Sequence, residues 1–120
     1  MIVPEFNRHT YPVRIFLSNS NTAWNGIMDH FGQDTRRPTA AASVTWFSNP
    51  VHHDLLVINV NNEHVNDMPY SERLALYAHE CVHVAQRVEE SIGSSLGDEV
   101  YAYLVQYLVM WMVDELEDYV

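Results

Sequence analysis

The sequence predicts an α+β fold in a single domain spanning residues 1–120. Three observations carry that expectation: short β-branched and aromatic runs at residues 13–18, 42–48 and 55–61, an apolar 3.6-residue period over residues 69–91, and a nearly continuous apolar stretch at 104–113. The predicted order is strand, helix, strand, strand, helix, helix: a small sheet of about three strands packed on the last two helices.

The first strand, residues 13–18, lies between Pro12 and an Asn/Ser cluster at 18–21. Asn21 or Thr22 can cap the helix that follows, where Ala23, Trp24, Ile27, Met28 and Phe31 recur at helical spacing and Gly32 supplies the stop. Residues 34–39, rich in Arg, Thr and Pro, read as a loop. The next two strands are separated by residues 49–54, which suit an antiparallel connection or a longer loop.

From Pro69 a helix runs to about Ser91, with Asp67 as a plausible cap and Leu74, Ala75, Ala78, Val82, Ala85 and Val88 as its apolar stripe. Two Gly and three Ser in residues 91–97 break it. The last helix runs from Asp98 towards Asp118, with acidic residues in its first turn where the helix dipole favours negative charge. Residues 104–113 are apolar almost all round, which predicts either central burial or an oligomer interface.

Charge excludes some partners. The chain has 16 acidic residues against six basic ones, all Arg, for a net charge of −10. Nucleic-acid binding needs clustered positive charge to displace counterions, and Arg36-Arg37 is the only basic doublet. The acidic balance reads as a solvated surface or as a face for a cationic partner. Cys81 stands alone and cannot form an intramolecular disulfide. No secretion signal is visible, and the apolar run at 100–113 is interrupted by Gln106 and shorter than the roughly 20 residues a bilayer requires. The expectation is therefore a cytoplasmic protein with no membrane partner.

The chemistry concentrates in His79-Glu80-Cys81-Val82-His83, an HExxH pattern inside a predicted helix. Histidines at i and i+4 sit one above the other on a helix face and can reach one metal ion. Glu80 is offset around the helix, close enough to act on a water at that metal without being a ligand. Zinc suits such donors, and the residue counts give only about 0.03 chance occurrences of the pattern in this chain.

A third ligand must come from elsewhere, and Glu99 is the candidate. It shares a helix face with Ala102 and Tyr103, and the small Ala102 would let two helices approach closely. Acidic capping of a helix start is the competing account of Asp98 and Glu99, while Glu89 and Glu90 lie too far along the motif helix to fold back. Tyr103, Tyr101, Tyr77 and His64 could each donate to a developing oxyanion and are not separated by spacing; Tyr103 stands with Glu80 as the expected catalytic pair. His52-His53-Asp54 invites a second metal reading, but adjacent residues of an extended segment point to opposite sides, so loop histidines are the better account. Cys81 reads as a small apolar residue.

HECVH, a Gly-containing turn and then DEVYAY resemble the zincin superfamily in its Glu-ligand branch, the gluzincins, where a second helix brings an E-x-x-A carboxylate to the metal. The resemblance implies a minimal zincin-like domain in which His79, His83 and Glu99 hold Zn²⁺ and Glu80 is the general base. It also implies an edge strand beside the motif helix, expected at residues 55–61, on which a peptide substrate adds as a further strand. The run His79-Glu80-x-x-His83-Val84-x-Gln86 is similar, too, to small HExxH proteins of tailed phages, which would place the chain in host cytoplasm or on a virion.

The function these features imply is a zinc-dependent metallopeptidase cleaving a protein or peptide. With no separate subdomain for a far wall, its cleft is expected to be shallow or completed by another chain. The alternatives are a non-catalytic assembly protein making contacts, homo-oligomeric or otherwise, through the apolar last helix, and a regulatory protein that binds or cleaves one factor.

Overall fold

Alternation of side chains across a strand explains the sheet. In β1 (Val13–Ser18), Val13, Ile15 and Leu17 join one buried cluster while Phe16 joins another; in β3 (Asp54–Val60), Leu56, Ile58 and Val60 join the first and Leu55 and Val57 the second. β3 is covered on both faces, which is why it reads as an unbroken apolar run. The computed structural model describes residues 3–49 and 53–117. The remaining elements are α1 (Asn21–His30), β2 (Ala42–Phe47), α2 (Asn62–Val65), α3 (Tyr70–Ile92) and α4 (Asp98–Leu116).

The α+β class is as expected, with a three-stranded sheet in the order β1-β3-β2. β1 runs parallel to β3 and β2 antiparallel to it. Residues 55–61, expected at the sheet edge, therefore belong to the central strand; the edge beside the motif helix is β2. The physical reason is the double coverage just described, since an edge strand open to solvent would not carry six consecutive buried residues. The outer edge of β1 is sealed by the N-terminal segment, where Phe6 N–H donates to the Ile15 carbonyl at 2.9 Å and Leu17 N–H to Pro4 at 3.0 Å.

One sheet face buries Trp24, Ile27 and Met28 of α1, and the other buries Tyr77, Cys81, Val84, Ala85 and Val88 of α3. The buried stripe of α3 keeps Ala85 and Val88 of the expected one but is otherwise rotated from it: Val82 is 36% exposed and Ala75 is exposed. Both stripes have helical spacing, and Tyr77, Cys81 and Val84 share one buried cluster with Leu104, Leu108 and Met112 of α4. The caps also differ from expectation. Ser20, not Asn21 or Thr22, accepts from Ala23 N–H at 3.0 Å, and α3 starts after Pro69 with no side-chain cap, leaving Asp67 outside the helix.

α4 lies along α3 but is not centrally buried. Leu104, Leu108 and Met112 face the core, while Val100, Tyr103 and Met110 are 47%, 53% and 46% exposed. The helix ends at Leu116, and Asp118 lies outside the described residues. Its far end is fixed by an ionic knot: the Arg73 guanidinium donates to both Glu117 oxygens, Tyr77 donates to Glu117 Oε2 at 2.7 Å, and Arg73 also reaches the Met68 carbonyl. Hydrogen bonds from Arg73 hold the Glu117 carboxyl below its ordinary range; burial offsets part of that effect, and a hydrogen bond from Tyr77 adds a smaller downward pull. Among the described residues no helix is long and apolar enough to cross a membrane.

Two outcomes follow. Leu108→Ala should cost about 3 kcal/mol in urea unfolding, against less than about 0.5 kcal/mol for Val82→Ala; equal effects would mean the helix faces are assigned wrongly. Glu117 has a depressed folded pKa, so its stabilising contribution is complete above the unfolded carboxylate value of about 4.3 and is lost as pH falls through the lower folded value. The urea midpoint of the native chain should therefore fall more steeply below about pH 4.3 than that of Glu117→Gln.

Candidate metal centre

α3 brings the two motif histidines together on its exposed side. Nε2 of His79 and Nε2 of His83 are 3.2 Å apart, with ring centroids at 4.8 Å and planes at 76°. Two imidazole nitrogens each about 2.05 Å from one tetrahedral zinc would stand about 3.3 Å apart, so the donor pair fits that ion. Nδ1 of His83 lies 3.2 Å from Oε1 of Gln86. An N–H on Nδ1 directed at that amide leaves the Nε2 lone pair free for a metal, which is the support a histidine ligand ordinarily receives. The sequence motif alone assigns Gln86 no role; its i+3 spacing from His83 is the signal that could have done so.

Glu80 sits at the seam between core and solvent, 5% exposed. Burial pushes its carboxyl up, and the positive charge of His79 and then His83 pulls it the other way. Cys81, one step further round, is fully buried with Sγ 3.5 Å from the Met112 sulfur; burial pushes its thiol up to about 12, so it is an inert core residue.

Glu80 and His83 open into a cleft of ≈ 370 Å³ between α3 and β2, with Ser43, Val44, Gln86 and Glu90 among its walls. The edge of β2 is part of that wall. Asn61 N–H donates to the Ala41 carbonyl, so residues 41 and 61 form a hydrogen-bonded pair of the antiparallel ladder. Alternation then assigns Ser43, Thr45 and Phe47 to pairing with β3, and directs the backbone groups of Ala42, Val44 and Trp46 to the free edge. The strand is held in place by Asn59 and Asn61 of the β3 end, which donate to the carbonyls of Pro38 and Ala40, and by Arg37, which donates to Asn59, Asn21 and the Val60 carbonyl.

The other expected residues lie elsewhere. Glu99 is exposed in the first turn of α4, and among the described residues no group of three His, Cys, Asp or Glu is assembled for a metal. Tyr101, two residues on, donates to the Val82 carbonyl at 3.2 Å and ties that turn to α3 next to His83. Tyr103 lines a different groove, sharing no residue with the cleft, because it projects from the outer half of α4. Tyr77 is buried in the Glu117 knot and His64 is exposed on α2. Glu89 is engaged by Leu96 N–H and Glu90 by Arg87, which stacks over Trp46. Of the suggested second site, His52 lies outside the described residues, and Asp54 accepts from Ser91 at 2.7 Å and from Asn49 N–H at 3.2 Å, a structural role. No protein-family model, curated protein or solved structure matches the chain.

The Ser43 hydroxyl is the one buried side-chain polar atom without a partner among the described residues. Ser43→Ala should therefore leave stability unchanged or raise it by up to about 1 kcal/mol, measured as a thermal shift; a loss above about 1 kcal/mol would show that the hydroxyl is bonded in solution.

Proposed function

We propose that the chain is a zinc-dependent hydrolase acting on an extended peptide segment, a minimal relative in chemistry of the gluzincin metallopeptidases. The single observation that carries the reading is the 3.2 Å approach of the two histidine Nε2 atoms beside a nearly buried glutamate in an open cleft. His79 and His83 would hold the metal, with Gln86 fixing the tautomer of His83. Glu99 is the proposed third ligand: it carries no hydrogen bond among the described residues and rides on the turn that Tyr101 ties to α3.

Bound there, Zn²⁺ supplies Lewis-acid activation of water and of the scissile carbonyl. Glu80 would take a proton from the attacking water and hand it to the leaving amine. The free backbone groups of Ala42, Val44 and Trp46 align the substrate as an added antiparallel strand, so that its carbonyl passes over the cleft. Tyr103 is not retained as catalytic, since its groove is separate.

A second reading has its own observation. The exposed apolar residues Val100, Tyr103 and Met110 on α4 suit protein contacts, as in a non-catalytic assembly component. Glu80 separates the two, because replacing it should end hydrolysis and leave contacts alone.

Elemental analysis of the purified protein should find about one zinc per chain, lost in His83→Ala and reduced in Glu99→Ala. Gln86→Leu should weaken zinc binding by about 10–100-fold, and Glu80→Gln should retain zinc while abolishing cleavage of an unstructured protein such as casein. No zinc uptake at neutral pH overturns the reading. Zinc uptake with cleavage unaffected by Glu80→Gln overturns the mechanism.

A further inference from the structure

The N-terminal segment lies against α4 and borders a second, open groove of ≈ 470 Å³, within the size range of a site for one small molecule. Arg8, His9 and Tyr11 form one wall, and Val100, Tyr103 and Tyr107 the other. None of its lining residues is Asp or Glu, although the chain carries a net charge of −10 and the metal cleft contains both Glu80 and Glu90.

Arg8 sets the chemistry. Of the other five arginines, Arg14, Arg73 and Arg87 are paired with Glu5, Glu117 and Glu90, Arg37 is bound to Asn21, Asn59 and the Val60 carbonyl, and Arg36 is exposed and lines neither cleft. The Arg8 guanidinium instead rests over the Tyr107 ring, 4.5 Å from its centroid, and its N–H groups have no acceptor among the described residues. That contact orients a cation without consuming its hydrogen bonds. His9 lines the same wall but is already engaged: its Nδ1 accepts from Tyr11 N–H at 3.1 Å, and its ring interacts with the Phe6 backbone and the Glu5 carboxylate. In the same groove as Arg8, Val100 and Tyr103 expose about half of their surfaces, 47% and 53%.

We infer that this groove binds a small carboxylate bearing an aromatic ring, with the carboxylate on Arg8 and the ring against Tyr103 and Val100. An arginine fork matches a carboxylate in two parallel hydrogen bonds, and an aromatic ring gains by burial where apolar surface already lies open. The head group could belong to the C-terminal phenylalanine of a polypeptide or to a free aryl acid. The inference uses no residue of the metal cleft and does not depend on hydrolysis.

Titration followed by the tyrosine ring resonances in proton NMR tests it. N-acetyl-phenylalanine and 3-phenylpropionate should each shift the resonances of Tyr103 and Tyr107, assigned with Tyr103→Phe and Tyr107→Phe, saturably. N-acetyl-phenylalaninamide, which lacks the charge, should bind at least about tenfold more weakly. Tighter binding of N-acetyl-phenylalanine identifies a polypeptide terminus as the source, and tighter binding of 3-phenylpropionate identifies a free acid. Arg8→Gln should lose at least about tenfold in affinity; Arg8 is exposed, so its thermal melt should match that of the native chain. Tyr103→Ala should weaken the aromatic acids, and inorganic phosphate should not bind the native chain. Equal binding of the amide, equal binding of phosphate, or full affinity in Arg8→Gln each overturns the inference.

Discussion

The rotational setting of α3 is the constraint on which the rest of this structure depends. Successive residues of a helix are displaced by about 100°, so burying Cys81 places His79 and His83, two residues either side, about 160° away from it and therefore in solvent. Glu80 then falls between, at the seam where α3 meets β2. The setting is enforced at both ends of the helix pair. Arg73 and Tyr77 grip Glu117 at one end, Cys81 meets Met112 in the middle, and Tyr101 reaches the Val82 carbonyl near the other. A helix turned by one residue would bury a histidine and expose Cys81, so core packing and site geometry are decided by one choice.

The sheet contributes the second half of the site through its topology. The chain seals one edge of the sheet with its own N-terminal segment and leaves β2 open at the other. An open edge is ordinarily a hazard, because unpaired backbone groups invite pairing with another chain. Here the edge is short, and it runs beside the Glu80 cleft rather than into open solvent. What aims it there is polar: Asn59 and Asn61 are buried yet fully engaged with the loop that precedes β2, and Arg37 closes the same network. Buried amides of this kind cost free energy unless satisfied, so their complete pairing fixes the loop path and with it the strand.

Much of this was legible because it is local. Three strands are bounded within a residue by β-branched runs, and the HExxH pair is placed by helix geometry alone, since i and i+4 must share a face. What escaped the sequence is non-local. Residues 55–61 and 42–48 are both apolar strands, and nothing within either says which lies centrally; that depends on α1 covering one face of β3 and α3 the other. Two apolar stripes on α3 differ by a fraction of a turn, and only the position of α4 selects the one through Tyr77 and Cys81. The same is true of Tyr103. Its spacing from Glu99 suggested a common face, but whether that face meets α3 or solvent is set by Leu104, Leu108 and Met112 taking the buried side. Arg73 and Glu117, 44 residues apart, carried no sequence signal at all.

The small size of the fold determines how the proposed hydrolysis would select a substrate. The cleft has two walls, α3 and the β2 edge, and offers few apolar side chains to enclose a substrate residue. Affinity in such a site comes from backbone pairing along Ala42, Val44 and Trp46, which recognises extension rather than sequence. Side-chain preference is then left to the charged rim, where Glu90 is partnered by Arg87 and Arg87 is stacked on Trp46. A strand added to β2 must run past that rim, where Arg87 already balances the charge of Glu90. The substrate expected on the proposed reading is consequently an unfolded or extended segment selected by its backbone, and the Arg8 groove, which shares no residue with the cleft, would serve a different kind of ligand.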